Sequence, residues 1–356
     1  MRDRVTSPLT VIEEPPAAPR PRAAKRGLAP GVSRARWIVQ GLYVGFLLVA
    51  GLEFARFVSQ ALSDGPITAG RPPAVEAFLP ISALLALKRF LLTRCWDEIH
   101  PAGLTLLVAA ILSALLARKA FCAWVCPVGA LSRGLEWLGA RTLWRRRRRW
   151  PSVPGWIDLP LTATKHLLLG FFAWTVAAMP LEGIEAFLRA PYNTAADARM
   201  LAFFVAPSAT TLVVLAALAG LSLVVKGAWC RWLCPYGALL GLASWASPLA
   251  VRRRPDACND CRACTRACPA GIPVHERGRV SSPECTGCLE CVAACTTSGA
   301  IGLTLPGKRV VSPWVLPAVA LGTLLGAWVI ARLTGFWETG LPAEAFRMAY
   351  ALVGVR

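Results

Sequence analysis

Long apolar runs dominate the chain, and polar residues gather in the short stretches between them. Five runs reach or approach bilayer length as helices: Trp37–Phe57, Ala102–Leu116, Leu159–Met179, Met200–Val225 and Pro313–Leu333. Roughly 20 apolar residues are needed to cross ~30 Å of hydrocarbon, so the second run needs its flanks. A sixth run, Val75–Leu92, contains Pro80, Lys88 and Arg89. If it crossed, the Arg145–Arg149 run would face the side opposite the basic N-terminal arm (Arg20, Arg22, Lys25, Arg26, Arg34, Arg36). That breaks the positive-inside rule. Read as a re-entrant or interfacial segment on the outer side, it leaves the arm, the Arg145–Arg149 loop and Arg252–Arg254 all cytoplasmic.

An internal repeat supports this topology. Val75-Glu76-Ala77-Phe78-Leu79 recurs 109 residues later as Ile184-Glu185-Ala186-Phe187-Leu188. Phe121-Cys122-Ala123-Trp124-Val125-Cys126-Pro127 recurs 108 residues later as Trp229-Cys230-Arg231-Trp232-Leu233-Cys234-Pro235. The shared offset implies two duplicated halves, each reading span, outer loop, span, then Cys-x3-Cys-Pro. Halves of like orientation are related by an axis along the membrane normal.

Composition agrees. Of 356 residues, 55% are hydrophobic and only 17% charged, against about a quarter charged in soluble domains. The net charge of +19 flanks apolar segments, so it reads as a topology signal and a contact to anionic lipid. No nucleic-acid motif accompanies it, and nucleic acid is excluded as a partner.

Cysteine carries the chemistry. Twelve of the 13 cysteines fall into four tight motifs. Cys258-x2-Cys261-x2-Cys264-x3-Cys268-Pro269 is followed by Cys285-x2-Cys288-x2-Cys291-x3-Cys295. This is the two-cluster ferredoxin run, in which the fourth cysteine of each motif serves the other cluster. Three thiols at such spacing wrap one cube, and its last iron needs a thiolate from farther away. Cys258, Cys261, Cys264 and Cys295 therefore form one expected [4Fe–4S] set, and Cys285, Cys288, Cys291 and Cys268 the other. Zinc prefers two separated Cys-x2-Cys pairs and fits poorly.

The pairs Cys122/Cys126 and Cys230/Cys234 each place two thiols on one helical face, with proline ending or bending the helix just after. Packed about the axis, the four would converge on a further cluster or metal, or act as redox dithiols; unliganded burial is the plain alternative. Cys95 stands alone and is read as a bystander. His100, His166 and His275 are the only histidines, too few and too scattered for paired haem ligands. A quinone would close an electron circuit, and its candidate proton-handling groups are Glu76, Asp97, Glu98, His100 and Glu185; solvated loop charge is the alternative. Lys165 and His166 read as snorkelling anchors.

The duplicated Cys-x3-Cys-Pro motifs with the eight-cysteine run resemble the membrane polyferredoxin family of the NapH, NosR, MauN and CcoG type, over about residues 35–305. The resemblance implies electron transfer at the bacterial cytoplasmic membrane, with a multi-pass chain whose N-terminus and ferredoxin domain are cytoplasmic. It also implies traffic between the quinol pool or a cytoplasmic donor and a periplasmic redox enzyme or cytochrome, with quinol dehydrogenase activity as one form. The alternative is a maturation or regulatory factor that reduces or senses a metal centre. With no flavin-binding segment before the first span and 23 residues after Leu333, the chain is most similar to the compact nitrate-reductase or methylamine-utilisation members.

The expected fold is mainly α: a polytopic helical membrane protein of about five spanning helices with an inserted two-cluster ferredoxin-like α+β domain. Its expected segments are a disordered arm (1–36), a first membrane half (37–140), a basic loop (141–157), a second half (158–250), the cluster domain (251–306), a last helix (313–333) and a short tail (334–356).

Overall fold

The computed structural model describes residues 30–144 and 153–355. The residues of the arm before Pro30 and the Arg145–Arg149 run lie outside them. Helix α1 covers Pro30–Ala61, so the arm gives way to helix before residue 36. The reason is tertiary: Arg36 is buried and pairs with Glu290 at 2.8 Å, far along the chain. The outer face of α1 carries Ile38, Leu42, Phe46, Leu48, Val49 and Leu52, all exposed. An apolar stripe of this extent belongs against lipid.

A 3₁₀ turn over Pro73–Phe78 and helix α2 (Pro80–Thr93) replace the sixth run. At 14 residues α2 rises only about 21 Å, too little to cross. Its Lys88 ammonium donates to the carbonyls of Val176, Ala177 and Met179 at 2.7–3.0 Å. These carbonyls end helix α6 (Gly155–Ala178), so the charge caps that helix. The copies of the Glu-Ala-Phe-Leu repeat fold differently, because the second lies in helix α7 (Leu181–Arg189).

Helix α3 (Pro101–Ala117) is the centre of the bundle. Ala102, Ala109, Ala110, Ala114 and Ala117 are fully buried, and such small residues allow close helix approach. It packs along helix α14 (Val315–Thr334). At 17 residues it is about 25 Å long and mostly sheathed by protein, with Leu112 and Leu116 left exposed. Among the described residues, three helices are long and apolar enough to cross a membrane: Gly31–Ala61, Gly155–Ala178 and Val315–Thr334.

The run expected as one helix over Met200–Val225 is two. Helices α9 (Ala196–Val205) and α10 (Ala209–Val224) meet at 73°. Pro207 supplies no amide hydrogen, and Ser208 starts the new helix by accepting from the Thr211 amide at 3.2 Å. The expected C-terminal tail is also structured. Helix α15 (Ala343–Val353) buries Phe346 and Tyr350 against Phe57 of α1.

The cluster domain begins on strand β1 (Ala250–Arg253), joined by β2 (Arg279–Val280), β3 (Ile301–Thr304) and β4 (Val310–Val311) in the order β2-β1-β3-β4, all antiparallel. Val251 pairs with Val280 on one side and Leu303 on the other. These three side chains share one core with Trp124, Leu289 and Leu316. The sheet is thereby packed onto the helical bundle, with no separate hydrophobic core between them.

Candidate metal centres

The two ferredoxin loops are conformational twins. Asp260 and Arg262 take positive φ in the first loop, and Gly287 and Leu289 take it at the matching positions of the second. Each left-handed residue turns the chain so that successive thiols face inward. In the first loop, Cys258, Cys261 and Cys264 line a cavity that Cys295 completes from the second motif. In the second, Cys285, Cys288 and Cys291 are electrostatic neighbours of one another and of Cys268. Cys291 also neighbours Cys264, so the two sets adjoin.

The donor chemistry fits iron–sulfur cubes. Burial pushes the free Cys268 thiol up to about 12, helped by its thiol neighbours. Four such groups become thiolates together only around a cationic core. Among the described residues, no three His, Cys, Asp or Glu groups close on a single-ion site, whereas a cube is gripped at separate corners. Cations surround the second set: Arg36 donates to the Cys288 carbonyl at 3.2 Å and Arg118 to the Ser282 carbonyl at 2.5 Å.

The Cys-x3-Cys-Pro motifs are built alike. Cys122 lies in the short helix α4 (Ala120–Trp124), and Cys126 caps helix α5 (Pro127–Arg141). Cys230 lies in a π turn over Trp229–Leu233, and Cys234 caps helix α11 (Pro235–Ala243). Each proline opens the following helix at its first position, where no amide hydrogen is required. The four thiols are electrostatic neighbours across the two halves: Cys230 feels Cys122, Cys126 and Cys234. Burial pushes Cys126 up to about 11, so a free dithiol here would be inert near neutral pH. A glycine follows each second cysteine. A side chain at Gly129 would meet the Cys122 carbonyl oxygen at 2.3 Å, so the chain returns on itself too closely for Cβ.

Other contacts tie the quartet to its surroundings. Trp124 donates to the Gly287 carbonyl at 3.3 Å. Asp158 of α6 takes Arg231 at 2.5 Å and the Trp232 indole at 2.9 Å. Lys165 has no exposed side-chain surface and donates to Glu284. It is therefore no snorkelling anchor, and it exemplifies what a run-by-run reading misses: a lysine amid apolar residues was the signal. Glu136 on α5 is a second missed residue. Burial pushes its carboxyl up to about 7, against the opposing pull of Lys226 and Arg36.

The five proton-handling candidates do not stay together. Glu76 and His100 meet at 3.5 Å, and Arg71 bridges Glu76 at 2.7 Å and Asp197 at 2.8 Å. The Gly103 amide in the first turn of α3 donates to Glu76 at 2.9 Å. Burial opposes the charge on Glu76, yet His100 and Arg71 hold its carboxyl below the usual range. Asp97 is buried beside this group, and burial raises it. Glu98 and Glu185 depart from the expected cluster. Glu98 is exposed, and Glu185 pairs with Arg89 at 3.7 Å. The buried members are not solvated loop charge, because the 3₁₀ turn, α3 and α9 close over them. They lie at the start of α3, while Lys119 and Cys122 follow its end, about 25 Å away along the helix.

Comparison with known proteins bears on both cysteine systems. A model described as a 4Fe-4S binding domain matches residues 99–151 and 200–255, once in each half. A model described as a 4Fe-4S dicluster domain matches residues 250–296. The chain is 38% identical to YccM of Escherichia coli (strain K12) over 283 residues, 78% of each chain. It is 32% identical to the regulatory protein NosR of Pseudomonas aeruginosa over 50% of this chain and 24% of that protein. It is 26% identical to the ferredoxin-type protein NapH of Escherichia coli (strain K12) over 53% and 63% respectively. No solved structure matches the chain.

Proposed function

This chain belongs to the membrane polyferredoxin family, and from that premise we propose that it carries electrons through three thiol-bound centres ordered from solvent to membrane. Bound [4Fe–4S] clusters supply one-electron redox chemistry; the protein orders, insulates and tunes them. Cys258, Cys261, Cys264 and Cys295 hold the outermost centre, where exposed Asn259, Asp260 and Arg262 border the thiols. Cys268, Cys285, Cys288 and Cys291 hold the second. Cys122, Cys126, Cys230 and Cys234 hold the innermost, at the junction with the spanning helices. The observation that carries this reading is that Cys264 is an electrostatic neighbour of Cys291 and that the Trp124 indole donates to the Gly287 carbonyl, so each set has a link to the next.

The outermost set exchanges electrons with a soluble cytoplasmic donor or acceptor. The innermost exchanges with the quinol pool or a membrane-bound partner that supplies a periplasmic oxidoreductase. The N-terminus and cluster domain face the cytoplasm on the charge argument. Quinol oxidation releases protons with its electrons. Glu136, half-buried near the clusters and poised near neutrality, suits that task better by position than Glu76 and His100 at the far end of α3.

Anaerobic purification in detergent, an iron and sulfide count, and EPR during quinol addition test the proposal. About twelve irons with rapid quinol reduction supports it. About eight irons removes the innermost centre. Clusters that respond only to a low-potential donor replace the quinol link with ferredoxin-fed reduction.

A further inference from the structure

Two buried ammonium groups lie within electrostatic reach of the Cys-x3-Cys-Pro thiols, one of them three residues before Cys122. Lys119 lies between α3 and α4, and Lys165 lies within α6; their side chains are 4% and 0% exposed. Both act on the same partner, Glu284, which immediately precedes Cys285. Lys165 donates to its Oε2, and the Lys119 ammonium is 3.8 Å from the same oxygen. Both lysines also act electrostatically on Cys122 and on Cys234, one thiol from each half of the repeat.

The charge balance is informative. Two ammonium groups face one carboxylate, while Arg231, next to Cys230 in the chain, and Asp158 neutralise each other. With four neutral thiols, the site would bury surplus positive charge, which is strongly unfavourable. A cube on four thiolates is anionic and restores the balance. A simple clamp between α6 and the cluster domain needs one lysine, not two sharing one oxygen.

The geometry points to Lys119 and Lys165 as the built-in counter-charges of an anionic centre on Cys122, Cys126, Cys230 and Cys234, with Glu284 linking that centre to the set containing Cys285. This rests on the reading of the quartet as an iron–sulfur site. Fixed positive charge favours the more negative, reduced state of a nearby centre. The lysines therefore raise its potential and Glu284 lowers it. They are tuning residues: they touch the thiol environment and not the reacting partner.

The test is an EPR-monitored redox titration of the full-length protein purified anaerobically in detergent, with an iron and sulfide count on each sample. The signal of the innermost centre is first assigned as the one lost in Cys122→Ser and in Cys230→Ser. In Lys165→Met and Lys119→Met that signal is expected at lower potential with iron content retained, while the signal lost in Cys258→Ser stays in place. Lys165→Arg is expected to restore the wild-type potential, and Glu284→Gln to move the signal upward. An unmoved potential in iron-replete Lys165→Met and Lys119→Met overturns the inference. Should both lysine variants lose their iron, Glu284→Gln decides: an upward shift supports the inference and no shift overturns it. A wild-type protein with about eight irons and no signal sensitive to Cys122 overturns the third-centre reading itself, an outcome recognisable before any lysine variant is made.

Discussion

The indole nitrogen of Trp124 donates to the backbone carbonyl of Gly287 across 3.3 Å, joining the first Cys-x3-Cys-Pro motif to the second ferredoxin loop. Trp124 is 1% exposed and shares its core with Leu289 and Leu316. Trp124→Phe keeps most of the packing and loses the bond, which costs about 1–2 kcal/mol. Trp124→Ala empties the site and costs about 3–5 kcal/mol. Thermal melts in detergent with parallel iron counts check this: the phenylalanine variant melts lower with its iron retained, and the alanine variant loses iron.

The two repeat glycines differ in how closely the chain returns. A methyl at Gly129 would stand 2.3 Å from the Cys122 carbonyl oxygen, whereas at Gly237 its nearest contact is an ordinary 3.6 Å. Gly129→Ala is therefore expected to displace Cys122 and remove about four irons, and Gly237→Ala to remove none. Equal iron loss in both variants contradicts the geometry.

The crossed assignment of the ferredoxin cysteines is separable by spectroscopy. Cys268→Ser is expected to abolish the same EPR signal as Cys285→Ser, although Cys268 belongs to the first motif in sequence. Cys295→Ser is expected to match Cys258→Ser. Cys95 is exposed and lies outside the four motifs, and Cys95→Ser is expected to leave the iron count unchanged.

Glu136 gives the protein a pH dependence of known sign. Its folded carboxyl titrates at about 7, above the ordinary 4.5. A raised carboxyl favours the protonated folded state, so its contribution is fully present below about pH 4.5 and is lost as pH rises through about 7. The loss is on the order of 3 kcal/mol. Melting temperatures from pH 5 to pH 8 are expected to fall in the wild type and to flatten in Glu136→Gln. An identical slope in both would assign the dependence to other groups.

Arg71 holds Glu76 and Asp197 in a buried knot with all three side chains nearly closed to solvent. Glu76→Gln takes the charged acceptor from Arg71, His100 and the Gly103 amide at once, so it is expected to cost about 3–5 kcal/mol. Glu185→Gln, at a half-exposed pair with Arg89, is expected to cost under about 1 kcal/mol. Denaturation in detergent distinguishes them, although the two glutamates occupy matching places in the repeat.

Local spacing alone carried the ferredoxin loops, the repeat of Cys-x3-Cys-Pro and the membrane character. Three thiols at x2 intervals must face one another wherever the loop folds, because the covalent chain keeps them within reach. Apolar length likewise reports on lipid directly, as with α1 and α14. Burial of a charge is another matter, because it depends on what arrives from distant segments. Lys165 reads as an anchor until Glu284 closes over it, and Arg36 as part of a basic arm until Glu290 takes it into helix α1. Glu76 and Glu185 sit in matching sequence, yet Arg71 and His100 bury one and solvent reaches the other. The bend between α9 and α10 was present in Pro207 and Ser208, but hydropathy ran straight through it. The electrostatic coupling of the four outlying thiols to one another and to two buried ammonium groups came only from the packing of the two halves against the cluster domain. Electrostatic neighbours of that kind are decided by tertiary contacts between segments that lie well apart along the chain.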